Sequence, residues 1–391
     1  MIKKVRYYIF LKDIVLLTVS AFGGPQAHFA MMLDVMVKKR GYLDEKELIE
    51  LTALCQFLPG PTSTQTLTAI GFKVGGANLA YLTLLIWVIP ACLIMSLAGI
   101  FLSTLESYNI TMDFAKFIKP MAVGIVAYSA FIIIQKVVTT KVAVVLMLLA
   151  AVASFIFRTP FVFPIILIIG GCVTAFNYKR HEMEEKNEIH IQWSNFLLWA
   201  GVLASAAILG ASTHWLGIRL FENFYRIGSL IFGGGQVLVP FMLTEFVEFK
   251  GYLTSEEFLS GFALVQAVPG PVFSFASFIG SIAMKEYGIL GQFAGGLIAS
   301  LGIFLPGTFL IFFVIRFWEE LKKFRIVKAS LDGVNAASAG MVLAAVGLLI
   351  TPLMGNYLNY AIMIVTFLIV KYTKIPTPLL ILGGLVLGII F

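Results

Sequence analysis

The stretch Leu54-Cys55-Gln56-Phe57-Leu58-Pro59-Gly60-Pro61-Thr62-Ser63-Thr64-Gln65 lies inside a run without a charged side chain, from Leu51 to Phe72. A helix cannot continue through Pro59-Gly60-Pro61. Each proline lacks an N–H donor and its ring clashes with the preceding turn, and the glycine adds backbone freedom. In an apolar segment this puts broken backbone at membrane depth, which is tolerated only where protein buries it or where it lines a polar cavity. The signature returns as Leu264-Val265-Gln266-Ala267-Val268-Pro269-Gly270-Pro271. Two interrupted apolar segments at matching positions of two halves point to the binding site of a transporter.

The surrounding chain supports a membrane setting. Its 391 residues are 59% hydrophobic and 13% charged, where a soluble domain carries about 25% charged residues. Uncharged runs cover Val74–Leu105, Thr159–Tyr178, Ile191–Thr213, Tyr287–Ile315 and Gly333–Val370, and one spanning helix needs roughly 20 such residues. The short alternating segments of a membrane β-barrel are absent. The fold class expected is therefore an all-α polytopic membrane protein embedded in the lipid bilayer of the cell membrane. A net charge of +7 fits cationic cytoplasmic loops and gives no reason to invoke nucleic acid. Cys55, Cys92 and Cys172 all lie in apolar runs, as small core residues rather than a disulfide or metal set. The basic start, Met1–Arg6, precedes an apolar stretch interrupted by Lys12 and Asp13, which reads as a retained first helix rather than a signal peptide.

The chain is a duplication. At an offset of 210 residues, Phe22-Gly23-Gly24-x-Gln26 matches Phe232-Gly233-Gly234-x-Gln236, and Gly41-Tyr42-Leu43 matches Gly251-Tyr252-Leu253. Between Gly41–Pro61 and its partner, 10 of 21 positions are identical. The match resumes at offset 216, with Pro90 on Pro306 and Gly124 on Gly340. The expected division is a first repeat over 1–178, a loop and linking helix over 179–219, and a second repeat over 220–391, with about six helical segments in each repeat. If each broken segment makes one net crossing, seven crossings precede the second half and the repeat is inverted. If the broken segments fold back without crossing, that count becomes even and the repeat is parallel. Inversion is the expectation, although it leaves the basic Lys38-Lys39-Arg40 outside.

A helix that starts just after Pro-Gly-Pro presents unpaired N–H groups and the positive end of its dipole, and so binds anions without a charged side chain. Thr62, Ser63, Thr64 and Gln65 add neutral donors after the first break, where the second offers mainly Ser274. Gln56 and Gln266 each stand three residues before the break. Gly23, Gly24, Gly233, Gly234 and Gly235 allow close backbone approach to a ligand, with Gln26 and Gln236 beside them. His28 has Leu238 as its counterpart. The candidate anion-binding set is thus Gln26, His28, Gln56, Pro59–Gln65, Gln236, Gln266, Pro269, Gly270, Pro271 and Ser274. The first half-site is expected to hold the anion more strongly. Lys73 and Lys285, at the far ends of the broken segments, are candidates for drawing an anion to the mouth. The bland readings are helix packing for Gly75-Gly76 and Gly295-Gly296, and an interior hydrogen-bonded histidine for His28. No catalytic set, metal site or cofactor motif is expected. A membrane enzyme would need acid, histidine or serine–base groups that the broken segments lack, and a channel would show flux without counter-transport.

Together, Phe22–His28, Gly41–Asp44, Leu58–Gln65 and Ile70–Phe72 resemble the first half of the chromate ion transporter family. Phe232–Gln236 and Gln266–Pro271 are similar to its second half. The resemblance covers nearly the whole chain. It implies a two-domain inner-membrane protein that exports chromate, with oppositely oriented halves. It also admits a homo-oligomer. Sulfate shares the tetrahedral dianion shape, so a sulfate-type carrier is the alternative.

Overall fold

The computed structural model describes residues 2–22, 24–108, 116–176, 192–232, 235, 237–318, 324–373 and 375–390, without the side chains of residues 2–5, 25, 26 and 325. The described residues are helical and contain no strand. The first half runs α1 (Ile2–Ser20), α2 (Gly24–Met32) with a π-helical continuation Leu33–Lys39, α3 (Glu45–Phe57), α4 (Thr62–Ser107), α5 (Ile118–Val137), α6 (Lys141–Ile156) and α7 (Val162–Ala175). Then α8 (Ser194–Thr213) links to α9 (Leu216–Leu230) and α10 (Leu238–Met242), which a π-helical stretch Leu243–Phe249 extends. The chain ends with α11 (Ser255–Ala267), α12 (Phe275–Ala283), α13 (Gly288–Val314), α14 (Arg325–Ile350), α15 (Tyr357–Tyr372) and α16 (Thr377–Ile390).

Both broken segments fold back. Lys73, near the end of the first arm of α4, pairs with Glu47 at the start of α3, and Lys285 pairs with Glu257 at 3.1 Å in the second half. Each pair closes a helical hairpin whose tip is Pro-Gly-Pro. Each first helix is fastened by a capping box, Asp44 with Glu47 on α3 and Thr254 with Glu257 on α11. These satisfy two otherwise unpaired N–H groups at each helix start. The first segment of each half folds back as well. Arg40 and Tyr42 reach Asp13 on α1 at 2.8 Å, and Phe246 stacks on Phe224 of α9 at 4.5 Å. Phe22 and Phe232 are the last residues described before the tips of this second pair of hairpins.

The four tips meet at the centre and exchange hydrogen bonds across the halves. Gly60 N–H donates to Ile231 O and Gly270 N–H donates to Ala21 O, both at 2.8 Å. These bonds are related by the 210-residue offset, so the contact is reciprocal, as a two-fold relation requires. Gly60 (φ +116°) and Gly270 (φ +118°) occupy backbone conformations that favour glycine. A Cβ on Gly60 would lie 3.2 Å from Gly307 Cα, and one on Gly270 would lie 2.9 Å from Ala91 Cβ.

Beyond the first hairpins, α4 turns sharply at Gly75 and Gly76, the latter with φ +78°. Gly76 is thus a corner rather than a packing residue; a Cβ there would meet nothing. Gly295 does serve packing, since its Cβ would clash with Gly280 O at 2.2 Å. The second arm of α4 runs antiparallel to α13 from one hairpin base to the other. Tyr81 meets Phe312 at 5.2 Å near one end, a Cβ on Gly296 would strike Ser96 midway, and Glu106 reaches Lys285 at 3.8 Å at the other. At 1.5 Å per residue this arm is roughly 45 Å long, enough to cross a bilayer core of about 30 Å. The hairpin tips of the two halves therefore point in opposite directions along these helices.

This overturns the premise that each broken segment makes one net crossing. The broken segments do not cross, which by itself would make the count even. The first segment, Ile9–Gly23, folds back too, and the odd count returns. Lys38–Arg40 accordingly comes back to the side on which α1 begins, and its misfit with the other basic segments disappears.

The remaining helices form a second body. Helix α14 packs against α6 and α7 of the first half, and α5 packs against α15 of the second. Glycine permits the closest approaches: a Cβ on Gly340 would lie 2.2 Å from Met147 O, and one on Gly124 would lie 2.6 Å from Met363 O. Both pairs obey the 216-residue offset. The repeats thus interlock, and neither half is a separate body. Five described helices are long and apolar enough to cross a membrane. The outward faces of α4 and α6 carry Leu82, Leu85, Leu97, Phe101, Leu149 and Val152, all exposed. The mixed-charge boundary around residues 178–190 lies outside the described residues.

Candidate functional site

A cavity of about 490 Å³ opens beside the first break. The hairpin body contributes Gln56 from α3 and Thr62, Ser63 and Thr66 from the start of α4. The second body closes it with Ile132, Ile133 and Lys136 of α5 and Asn335 and Ser338 of α14. Proline terminates α3 and starts the new helix, so the first N–H groups of α4 lie at the wall of this cavity. The side chains of Gln56, Thr62, Lys136 and Asn335 have no hydrogen-bond or ion-pair partner among the described residues. Ser63 Oγ lies 3.1 Å from His28 Nδ1. Such a set offers amide and hydroxyl donors, a helix N-terminus and one cation, all suited to an anion.

A smaller cavity of about 180 Å³ lies beside the second break. It is lined by Gly24, Gly235, Gln266 and Val272 of the hairpins and by Tyr128 and Ser129 of α5. Ile132 borders both cavities. Both cavities lie on the seam between the two bodies.

Several expected donors are turned elsewhere. Gln65 gives its amide hydrogens to Pro59 O at 2.9 Å and Gly307 O at 3.1 Å, so it braces the tip rather than serving as a donor to the cavity. Thr64 accepts from Trp87 Nε1 at 3.2 Å. The N–H groups of Gly60 and Gly270 are spent on the cross-half bonds, so Pro59-Gly60-Pro61 and Pro269-Gly270-Pro271 shape the site rather than donate through those glycines. Ser274 is fully buried with an unpartnered Oγ. Lys73 and Lys285 are paired with glutamates and close the hairpin bases instead of standing free at a mouth. Gly23, Gly233, Gly234 and Gln236 lie outside the described residues, as does the side chain of Gln26. Sequence reasoning missed Lys136, Asn335 and Ser338, which come from helices remote in the chain. Asn335, polar within an uncharged run, is the available signal.

Outside the cavities, Asp13 is buried against Arg40 and Tyr42. In the second half Arg226 reaches Glu222 at 2.8 Å and the fully buried Glu245 at 3.1 Å. The Asp13 pairings and the Arg226–Glu245 pair tie the first helix of each half to the returning arm of the same hairpin, while Arg226–Glu222 lies within α9. No group of metal-ligating side chains occurs among the described residues.

Two interlocked halves, four central hairpin tips and paired cavities on a seam define a multi-pass α-helical membrane protein built as a transporter. The chain belongs to the chromate transporter family, whose model matches residues 10–176 and 218–389. It is 27% identical to an uncharacterized transporter of Methanocaldococcus jannaschii, over 94% of this chain and 90% of that protein. It is also 27% identical to a probable chromate transport protein of Synechococcus elongatus, over 95% of this chain and 92% of the relative. Identity to a chromate transport protein of Cupriavidus metallidurans is 24%, with 94% and 89% covered. No solved structure matches the chain. Family membership supports a role in chromate transport across the cell membrane, and the family is one of transporters rather than enzymes.

Proposed function

We propose that the chain exports chromate, or a related tetrahedral oxyanion such as sulfate, from the cytoplasm by alternating access. The observation that carries this reading is the cavity at the start of α4, with unpartnered Gln56, Thr62, Asn335 and Lys136 around a helix N-terminus. Neutral donors and one peripheral cation hold a dianion without trapping it, as transport demands. Gln266, with Gly24 and Gly235, offers the corresponding but weaker station at the second break.

Orientation follows from the hairpins. Lys38–Arg40, Lys73, Lys136 and the basic segment after α13 fall on one side when α4, α5 and α13 each cross once. The positive-inside rule makes that side cytoplasmic, and the halves are then inverted about an axis in the membrane plane. The larger cavity, with exposed Lys136 at its edge, faces the cytoplasm. Rocking of the α5–α14 body along the seam would close it and enlarge the smaller cavity, the motion expected of inverted repeats. The energy source is an ion gradient or exchange.

Purified protein in proteoliposomes should accumulate labelled chromate against a preset gradient, with sulfate competing. Flux that is indifferent to a trans-side anion and to any ion gradient would indicate a channel and end the carrier reading. Uptake of sulfate with no competition by chromate would assign the cavity to sulfate.

A further inference from the structure

We propose that His28 is a proton site coupled to the anion: the imidazole takes up one proton when the dianion lodges at the start of α4 and loses it when the anion departs. This rests on the oxyanion reading of that cavity. His28 is buried on α2, with both ring nitrogens engaged. Nε2 lies 3.2 Å from Ala21 O, and a carbonyl only accepts, so Nε2 carries a hydrogen. In the neutral ring Nδ1 is then an acceptor, and the Ser63 hydroxyl, 3.1 Å away, must point its hydrogen at the ring. Ser63 lines the cavity and in this state turns lone pairs toward it. That state disfavours an anion.

Protonation reverses the bond. Nδ1–H becomes the donor to Ser63 Oγ, and the serine hydrogen is released to rotate toward the cavity. One proton therefore adds a positive charge behind the site and changes Ser63 from acceptor to donor. The converse also holds: a buried imidazolium without a counter-charge is costly, and a dianion beside Ser63 supplies one. Proton and anion then favour each other's binding by the same factor.

The surroundings leave this role to His28. Trp87 packs edge-on against the ring with centroids 5.1 Å apart, and its indole N–H is held by Thr64, which fixes the ring plane. The elements packed most extensively against α2 are its π-helical continuation and α4. The first carries Asp34, Lys38 and Lys39, with Asp34 paired to Lys39. Helix α4 carries Lys73, Glu106, Tyr81 and Cys92; the lysine is paired with Glu47 and the glutamate with Lys285. Across the cavity the charged side chain is Lys136. Ala21 O also accepts from Gly270 N–H, so the protonated ring pulls on the acceptor that holds the opposite tip. Leu238 replaces the histidine in the second half, which sets the count at one proton per anion.

The test is proton uptake on anion binding by the purified full chain, read by calorimetry in buffers of different ionisation enthalpy, with sulfate and with chromate. Sulfate stays a dianion throughout, and the His28→Leu trace supplies the blank for chromate's own protonation. The wild type should take up one proton per sulfate, and its affinity should fall about tenfold per pH unit above the titration of the free imidazole. His28→Leu and His28→Gln, checked for wild-type-like melting, should bind more weakly, with no uptake and a flat pH profile. Anion binding by the wild type without proton uptake, or equal uptake by both variants, overturns the proposal. No binding of either anion by the wild type would instead remove the oxyanion reading on which it rests.

Discussion

Replacing Gly60 with alanine tests the crossed tips directly. Two costs add at this position. The first is conformational: φ of +116° lies where a residue with a Cβ pays about 1–3 kcal/mol. The second is steric: the new Cβ would sit 3.2 Å from Gly307 Cα and 3.3 Å from Gln65 Nε2. Neither neighbour yields freely, because Gly307 is backbone of α13 and Gln65 is held by Pro59 O and Gly307 O. Overpacking of this kind costs about 1–3 kcal/mol. The sum is roughly 2–6 kcal/mol. Gly76→Ala is the control: φ is +78° and ψ −168° but no atom lies within 4 Å of its Cβ, so only the strain of about 1–3 kcal/mol applies, without the steric cost. Denaturant titration and melting in detergent should rank wild type above Gly76→Ala above Gly60→Ala. Flux in proteoliposomes should fall most in Gly60→Ala, because the bond from Gly60 N–H to Ile231 O is displaced. A Gly60→Ala variant as stable and as active as Gly76→Ala would refute the tip-crossing geometry.

Gln56→Ala should weaken oxyanion binding by roughly tenfold to a hundredfold, the worth of about 1.5–3 kcal/mol for a hydrogen bond to a charged group; Gln266→Ala should lower flux with a smaller change in affinity, measured as initial rates against anion concentration. Lys136→Gln should raise the half-saturating anion concentration at low ionic strength, with the difference shrinking as added salt brings the screening length to about 10 Å or less. Arg226→Leu leaves fully buried Glu245 without its counter-ion and should destabilise the protein by about 3–5 kcal/mol, with Arg226→Leu/Glu245→Leu recovering most of the loss in a denaturant titration.

The duplication was legible because fold requirements fall on identical residues. Gly60 and Gly270 share a positive φ, Glu47 and Glu257 close capping boxes, and Gly124 and Gly340 admit carbonyls from the other half. The folding back was not legible locally. Pro-Gly-Pro breaks a helix but permits either a through-path or a reversal. What decides between them is a pairing 26 residues apart in the first half and 28 in the second. The site was half legible for the same reason. Gln56, Thr62 and Ser63 sit beside the break in sequence as in space, whereas Lys136 and Asn335 reach it only through the packing of α5 and α14.

That division also explains how one duplicated frame yields unequal half-sites. The crossing bonds, the hairpin tips and the closing lysine–glutamate pairs occur in both halves, because the packing cannot form without them. The lining has diverged: Thr62 faces Val272 across the repeat, His28 faces Leu238, and Lys136 faces Pro352. Every one of these changes removes a polar or charged group from the second half. The asymmetry expected from Thr62–Gln65 against Ser274 therefore has a different physical basis. Gln65 braces the tip and Thr64 holds Trp87, so neither contributes a free donor. On the proposed reading, a stronger station in the first half would rest instead on Thr62, the His28–Ser63 pair and the cation on α5. Under the proposed carrier reading, unequal stations on opposite sides of one seam would ease release at the weaker one, while an ion gradient or exchange would have to supply the direction.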